Sequence, residues 1–586
     1  MWKFGMLLIL ILCASFAEAV GVAVIPLFVA VVIAPSQLAD NVWVGHWFRN
    51  SPDQPSLEMT IWAACILLGF MVVKGLFQAF VYYMQARIVN HQRIGLQSRM
   101  FKAYQKAPYD WQLQRSSSEM LRNIQNDTAQ VIVGVVTPMI DLLMAISMCL
   151  FVIAVMVMAT PSSALLGVLI IGIGLVITLR LFQKALRKIG EVLREESKAM
   201  IKAIQQGFGA LVDARIVGCE AYLAGMFAQS ARKQAKAIIA RQTMMKSTPL
   251  IIETLAILGL LVIFVMLIKG ANQVAEVIPW LSLVGVAVVR LKAQAGKIAG
   301  GVNTINSSKP CVPGLVKDIQ ELNQLEQIKI KKKRTVSSSG EEIVHFEKLE
   351  LKNISYSYPE SDKPAISNVS LSLQKGESIG FVGETGCGKS TLVNLILGLL
   401  EPESGDIEVN GVSIFHHMDV WRKQLGYIPQ SIYLIDDSLR ANIAFGVSAE
   451  EVSQSQLNLA IESACLKDYI NELPDGLDTV VGERGVRLSG GQRQRLGIAR
   501  ALYFDPAVLV MDEATSALDN QTESVVMHAI ENAKKGRTLI MIAHRLTTVE
   551  KCDRLYYLSN SQLIAQGSFS SLKKDVTDFR KMVEGA

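Results

Sequence analysis

Residues 383–391 read Gly-Glu-Thr-Gly-Cys-Gly-Lys-Ser-Thr, a spacing of glycines, one lysine and hydroxyls that suits phosphate binding. The strand-like Glu377–Val382 leads into it and an apolar helical stretch follows from Leu392, the context this pattern requires. Gly383, Gly386 and Gly388 let backbone N–H groups approach the β- and γ-phosphates of a nucleotide, with Glu384, Thr385 and Cys387 between them. The helix dipole adds to that attraction. Lys389 neutralises phosphate charge, the Ser390 hydroxyl suits Mg²⁺, and Thr391 ends the run. Further on, Val508–Met511 forms an apolar strand ending in two acids. Asp512 fits a group that helps hold Mg²⁺, and Glu513 fits a base that orients an attacking water.

A second set of charged residues sits where charge is costly. Six apolar runs precede residue 300, at about 6–33, 59–80, 131–160, 163–182, 249–268 and 278–298. Each supplies the roughly 20 helical residues that cross a hydrocarbon core. Lys74 lies deep in the second run, and Arg290 lies near mid-bilayer in the last, about 17 Å along a helix rising ~1.5 Å per residue. Lys297 follows on the same helix face, and Arg87 lies near the inner end of the second run. Arg87 and Lys297 also suit plain anchoring at the inner surface, whereas Lys74 and Arg290 are too deep for it. Two cations facing a shared cavity would suit an anionic headgroup such as phosphate or pyrophosphate. Glu18, the only acid in the first run, could pair with a cation or contact cargo.

The elements that must position these residues divide the chain in two. Of 58 basic and 52 acidic residues, positions 1–300 carry a net +12 and positions 301–586 a net −6. Hydrophobic residues reach 51% and charged residues only 19%, against roughly 25% in a soluble domain. That excludes a disordered, collagen-like or disulfide-scaffold chain and argues against a purely soluble one. Lys3, Met6–Cys13 and Ala17-Glu18-Ala19 imitate a signal peptide, but apolar character continues through Val20–Ala34, so a span is expected instead. Eight scattered cysteines, with no C-x-x-C pair and no histidine at zinc spacing, are expected to be reduced and mostly buried, with no metal site.

Loop charge orients the spans. Residues 87–130 carry seven Lys/Arg and residues 180–248 carry thirteen, whereas 34–58 carries one. The basic segments are therefore expected inside, with both termini cytoplasmic. They are too long for turns and keep helical apolar spacing at Leu186, Ile189, Val192 and Leu193, which predicts helices running into the cytoplasm. Bends are expected at Ala107-Pro108-Tyr109-Asp110 and Gly207-Phe208-Gly209. The outer loop 35–56, with Trp43, Trp47 and Phe48, suits an aromatic belt or a short interfacial helix. Residues 303–345, with five cations in Lys329–Arg334, read as a flexible linker.

Leu488-Ser489-Gly490-Gly491-Gln492, lying between the phosphate loop and the Asp512 strand, resembles the signature motif of ABC ATPases. Residue by residue, the resemblance implies that Tyr358 stacks on adenine and that Gln430 senses Mg²⁺ and the membrane domain. It implies a D-loop in Ser516-Ala517-Leu518-Asp519 and makes His544 the switch histidine on the γ-phosphate. Thr479–Gly485 resembles the X-loop of ABC exporters, and the six runs followed by an ATPase match the exporter layout. In that family the signature of one subunit closes on ATP held by another, which implies a homodimer here. Glu18–Phe28, Gly209–Glu220 and Arg290–Pro310 are similar to bacterial lipid-linked oligosaccharide flippases.

Together these readings predict a multidomain membrane protein. Residues 1–302 form a six-helix transmembrane exporter domain with long cytoplasmic extensions, 303–345 a linker, and 346–586 an α/β ABC-type ATPase. Expected site residues are Glu513 and His544 for catalysis; 358, 383–391, 430, 489–492 and 512 for ATP; Ser390, Gln430 and Asp512 for Mg²⁺; and Lys74, Arg87, Arg290 and Lys297 for cargo. The expected function is ATP-driven flipping of a polyprenyl-pyrophosphate-linked glycan across the bacterial inner membrane, with no nucleic-acid partner. Export of a drug, peptide or simple lipid is the alternative within transport, and an ATP-gated channel or regulator the alternative outside it.

Overall fold

Long apolar segments broken by few glycines and prolines favour long helices, and the first half of the chain consists of them. The computed structural model describes residues 2–33, 57–159, 165–270, 274–336, 345–359, 361, 363–482, 485–512, 520–534, 536–542 and 546–584. Two compact units emerge: Met1–Ala107 with Arg115–Leu325, and Pro108–Gln114 with Glu326–Ala586. The aromatic outer loop, Glu513, the D-loop stretch 516–519, His544 and positions 483–484 and 337–344 lie outside the described residues.

The helices are α1 (Trp2–Ile33), α2 (Leu57–Lys106), α3 (Tyr109–Leu113), α4 (Ser117–Arg122), α5 (Thr128–Val131), α6 (Thr137–Ala159), α7 (Leu165–Gly209), α8 (Leu211–Val217), α9 (Glu220–Gly270), α10 (Val274–Ser308) and α11 (Cys311–Val336). Among the described residues, Gly5–Val29, Thr60–Lys106 and Ser117–Val157 are long and apolar enough to cross a membrane. Large apolar side chains such as Ile66, Val73 and Leu76 on α2 are exposed, whereas Val81 and Ile88 on the same helix are buried. That inversion fits a helix with apolar solvent on one side, since hydrocarbon accepts what water rejects. Cys13 and Cys65 are exposed as well, where burial was expected; Cys311, Cys387 and Cys552 are buried and all eight thiols are free.

The two expected bends are present. α2 ends at Lys106, Pro108 starts the short α3, and α7 ends at Gly209. Tyr109 packs on the core of the second unit, so the bend belongs to that unit although the helices on either side belong to the first. Between α4 and α6 the helix opens into two π-turns, Asn123–Asp127 and Ile132–Val136. Thr128 and Thr137 each donate their hydroxyl to the carbonyl five residues back, at 2.7 and 3.2 Å, which stabilises the wider turn. α7 and α10 touch backbone to backbone: a Cβ at Gly190 would lie 2.1 Å from the Ser307 carbonyl oxygen.

The supposed flexible linker is helical over most of its length. Residues 303–308 complete α10 and 311–336 form α11. Composition misled here because Leu315, Asp318 and Leu322 keep helical spacing and are all buried. Asp318 accepts hydrogen bonds from the Tyr104 hydroxyl at 2.6 Å, the Asn123 amide at 2.8 Å and the Arg115 guanidinium at 2.5 Å. The second guanidinium nitrogen of Arg115 reaches Glu321 at 2.6 Å. A neighbouring knot sets Arg122 and Arg194 on Asp127 at 3.4 and 3.3 Å.

In the second unit, Ser378–Gly383 is buried at every position and apolar after Ser378, the pattern of a central strand covered on both faces. One sheet has order β2-β1-β4-β5: β2 (Ile366–Gln374), β1 (Lys348–Tyr356), β4 (Ser404–Val409) and β5 (Val412–Ser413), all antiparallel. The other has order β10-β9-β3-β8-β7-β6, built from β3 (Ser378–Gly383), β6 (Leu425–Ile428), β7 (Val508–Asp512), β8 (Thr538–Ile542), β9 (Arg554–Ser559) and β10 (Gln562–Gly567). Strands β9, β3, β8, β7 and β6 are parallel, and only the β10 edge runs against them. Trp421 anchors the core beside the phosphate-loop helix, fully buried with its indole N–H on the Ile396 carbonyl at 2.8 Å.

Candidate functional site

Parallel strands bring their carboxyl ends to one edge, where ligands of open α/β sheets bind. Across that edge Phe381 on β3, Ile542 on β8 and Asp512 on β7 share a row, and Met511 pairs with Ile428 on β6. Neighbouring strands lie roughly 5 Å apart, so Asp512 stands about 10 Å from β3. The phosphate loop leaves β3 at Gly383, Gln430 follows β6 by two residues, and position 544 follows β8 by two. Topology alone thus brings the ends of β3, β6, β7 and β8 to one edge.

The phosphate loop turns on backbone conformations that only glycine adopts easily. Gly383, Gly386 and Gly388 have φ of 148°, 84° and 105°. Gly388 caps the Lys389–Ile396 helix, and a Cβ there would sit 2.4 Å from the Ala365 carbonyl oxygen. The Lys389 ammonium is buried, donating to the carbonyls of Gly383 at 2.9 Å and Glu384 at 2.8 Å. It also lies 3.8 Å from the Cys387 sulfur, so that thiol is enclosed by its own loop. Glu384, Thr385, Gly386 and Ser390 are exposed, presenting the loop's outer rim to solvent. Gly388→Ala combines left-handed strain with a clash; a strain of about 1–3 kcal/mol taken out of binding should weaken ATP affinity roughly tenfold to a hundredfold. Fluorescent-nucleotide titration measures this, and an unchanged affinity would refute the conformational role.

Tyr358 is brought to the same loop: its hydroxyl lies 3.1 Å from the Thr391 hydroxyl, and its ring stands edge-on to Tyr356 at 5.2 Å. Tyr427 on β6 is half-buried, and burial, then the nearby charge of Asp512, pushes its phenol up to about 12. Asp512, Ser390 and Gln430 offer oxygen donors only, the chemistry that Mg²⁺ prefers. The loop's glycine-made cradle likewise fits a phosphate chain.

The signature residues are arranged differently. Ser489 caps the Gly490–Leu502 helix, accepting from the Gln492 N–H at 3.2 Å, while the Gln492 side chain accepts from the Ser489 N–H at 2.8 Å. This reciprocal capping box leaves Ser489 and Gly490 exposed, and the hydrogen bonds described for the pair join no phosphate-loop residue. The 479–482 part of the X-loop pairs with Asp437–Leu439: Val480 bridges Ser438, and Val481 N–H donates to Asp437.

In the first unit the deep cations converge. Lys74 Nζ lies 2.8 Å from one Glu18 oxygen and Arg290 Nη1 2.6 Å from the other. Arg87 and Lys297 are exposed. Lys292 pairs with Glu253 across α10 and α9, which the sequence reading did not single out; a lone acid inside an apolar run was the available signal. Asp318 was missed because it sat in a segment assigned to a linker.

Two family descriptions match this sequence: "ABC transporter" over residues 366–516 and "ABC transporter transmembrane region" over residues 7–286. The ATP-dependent lipid A-core flippase of Thiobacillus denitrificans is 27% identical over 530 residues, covering 87% of this chain and 86% of that protein. The protein of that name from Photobacterium profundum is 28% identical over 515 residues, covering 87% and 85%. Among solved structures, a bacterial Atm1-family ABC exporter with ATP bound superposes with a TM-score of 0.80 at 22% identity, covering all of this chain and 98% of that one. That last likeness is one of fold.

Proposed function

This chain belongs to the ABC transporter family, as an exporter half-transporter whose transmembrane domain precedes its ATPase, and from that premise we propose a flippase for an anionic amphiphile. It is a membrane protein that binds ATP and couples ATP hydrolysis to transport. The cargo we favour is a lipid-linked glycan on a polyprenyl pyrophosphate, moved across the bacterial inner membrane. The observation that carries this reading is the convergence of Lys74 and Arg290 inside the membrane domain. Relatives bearing the name lipid A-core flippase support a lipid cargo rather than a drug or peptide.

We assign the machinery as follows. Six spans, at about residues 6–33, 59–80, 131–160, 163–182, 249–268 and 278–298, continue into cytoplasmic helices, with both termini inside; the linker runs to about residue 345. Two copies assemble, because exposed Ser489 and Gly490 of one chain need the phosphate loop of another to complete a site. The 383–391 loop grips the β- and γ-phosphates, Tyr358 stacks on adenine, and Glu513 orients the attacking water. His544 contacts the γ-phosphate. Ser390, Gln430 and Asp512 would hold Mg²⁺, which when bound neutralises charge on the phosphates. ATP-driven closure would turn the spans from inward- to outward-open through the α3 and α8 bends.

Proteoliposomes containing a fluorescent polyprenyl-pyrophosphate glycan test this directly. Arg290→Ala and Lys74→Ala should each lower ATP-driven flipping of that lipid roughly tenfold, the loss of one charge-assisted contact of about 1.5–3 kcal/mol. Flipping of a zwitterionic lipid should not change. Unaltered flipping of the pyrophosphate lipid by both variants would sink the anionic-cargo reading.

A further inference from the structure

The ion cluster holds more than two cations awaiting cargo. Glu18 is enclosed, with 7% of its side chain exposed, and each carboxylate oxygen is committed to a different cation. Lys74 is nearly as enclosed at 10%, while Arg290 is open at 37%. Among the described residues, two positive charges meet one negative here and leave a surplus cation within long apolar helices, an arrangement costly enough to call for another anion. Gly21, one helical turn beyond Glu18 on α1, supplies the seat: a Cβ there would come within 3.3 Å of Lys74 Nζ. The ammonium thus rests against the α1 backbone beside its carboxylate.

A carboxylate and a phosphate each present paired oxygens from a single centre, and ammonium and guanidinium groups bind either. We propose that Glu18 is a resident counter-anion, occupying in the cargo-free protein the position that phosphate oxygens of the cargo take. Binding of the headgroup then competes with the Glu18 contacts. This rests on the anionic-cargo reading and adds a selection rule to it: a pyrophosphate, with more than one negative charge, displaces the single charge of Glu18. A neutral or singly charged headgroup does not. Glu18 keeps the cations together between turnovers and sets how much charge a cargo needs to enter.

Equilibrium binding of radiolabelled farnesyl pyrophosphate and of farnesol to the full-length protein in nanodiscs tests the competition. Glu18→Gln should bind farnesyl pyrophosphate about tenfold more tightly than wild type, a coupling of ordinary size, with farnesol binding unchanged. Glu18→Asp keeps the charge but withdraws it by one methylene and should fall between the two; it carries the test if the glutamine variant does not fold. If both variants bind farnesyl pyrophosphate no more tightly than wild type while Arg290→Ala binds it more weakly, the counter-anion idea fails and the anionic-cargo reading stands. If Arg290→Ala and Lys74→Ala leave farnesyl pyrophosphate binding unchanged, both fail.

Discussion

Glu513→Gln should lower ATP turnover by a factor of about 10² to 10⁴, the usual worth of a positioned general base, while ATP affinity stays close to wild type. Glutamine matches glutamate in size but does not accept a proton from water, so only the chemical step suffers. The geometry that supports the assignment is the strand row joining Asp512 to Ile542 and Phe381, which brings the end of β7 to the edge from which the phosphate loop departs. Lys389→Ala should behave differently. It removes the buried ammonium that ties the carbonyls of Gly383 and Glu384 together, so both affinity and turnover should collapse. Steady-state ATPase assays paired with nucleotide titration separate the two outcomes. A Glu513→Gln protein hydrolysing ATP at the wild-type rate would defeat the catalytic assignment.

The second large effect is on stability. Asp318→Ala should destabilise the first unit by about 3–5 kcal/mol, because it strips partners from a buried ion pair and two further donors at once. Asp318 is 3% exposed and accepts from Tyr104, Asn123 and Arg115. Once it is gone, the hydroxyl, the amide and the guanidinium each lose the buried carboxylate they share, although Asn123 still reaches the Tyr104 hydroxyl at 3.3 Å and Arg115 still reaches Glu321 at 2.6 Å. Tyr104→Phe, which deletes one neutral donor, should cost only about 1 kcal/mol. Thermal melting in detergent, with Tyr104→Phe as the mild comparison, reads the contrast; equal small shifts for both would show that the knot carries little of the stability.

The phosphate-binding edge was legible because its motif constrains the backbone. A glycine-spaced loop between a strand and a helix has few ways to fold, and Gly383, Gly386 and Gly388 take up the positive φ values that make those glycines necessary. The two hairpin bends were legible for a related reason: Pro108 interrupts an otherwise helical stretch, and the pair Gly207 and Gly209 closes a helix that breaks at Ala210. The helical character of 303–336 was hidden because polar composition suggested a solvated linker, whereas burial of Asp318 depends on Tyr104 and Arg115, some two hundred positions away. The two π-turns were hidden too, since a threonine five residues from a carbonyl leaves no distinctive pattern in a helix.

By itself the sequence determined the kinds of chemistry present and where in the chain they fall: a nucleotide loop after a buried strand, and cations placed well inside apolar runs. Those follow from local rules, because motif spacing and hydrophobic run length act over a few to a few dozen residues. Only the tertiary structure decided which charges meet. Glu18, Lys74 and Arg290 come from three helices spread over most of the membrane domain, and their convergence is a property of packing. It matters because an ion's energy in an apolar interior depends on the partner within a few ångströms, and that partner is fixed by the fold rather than by sequence neighbours.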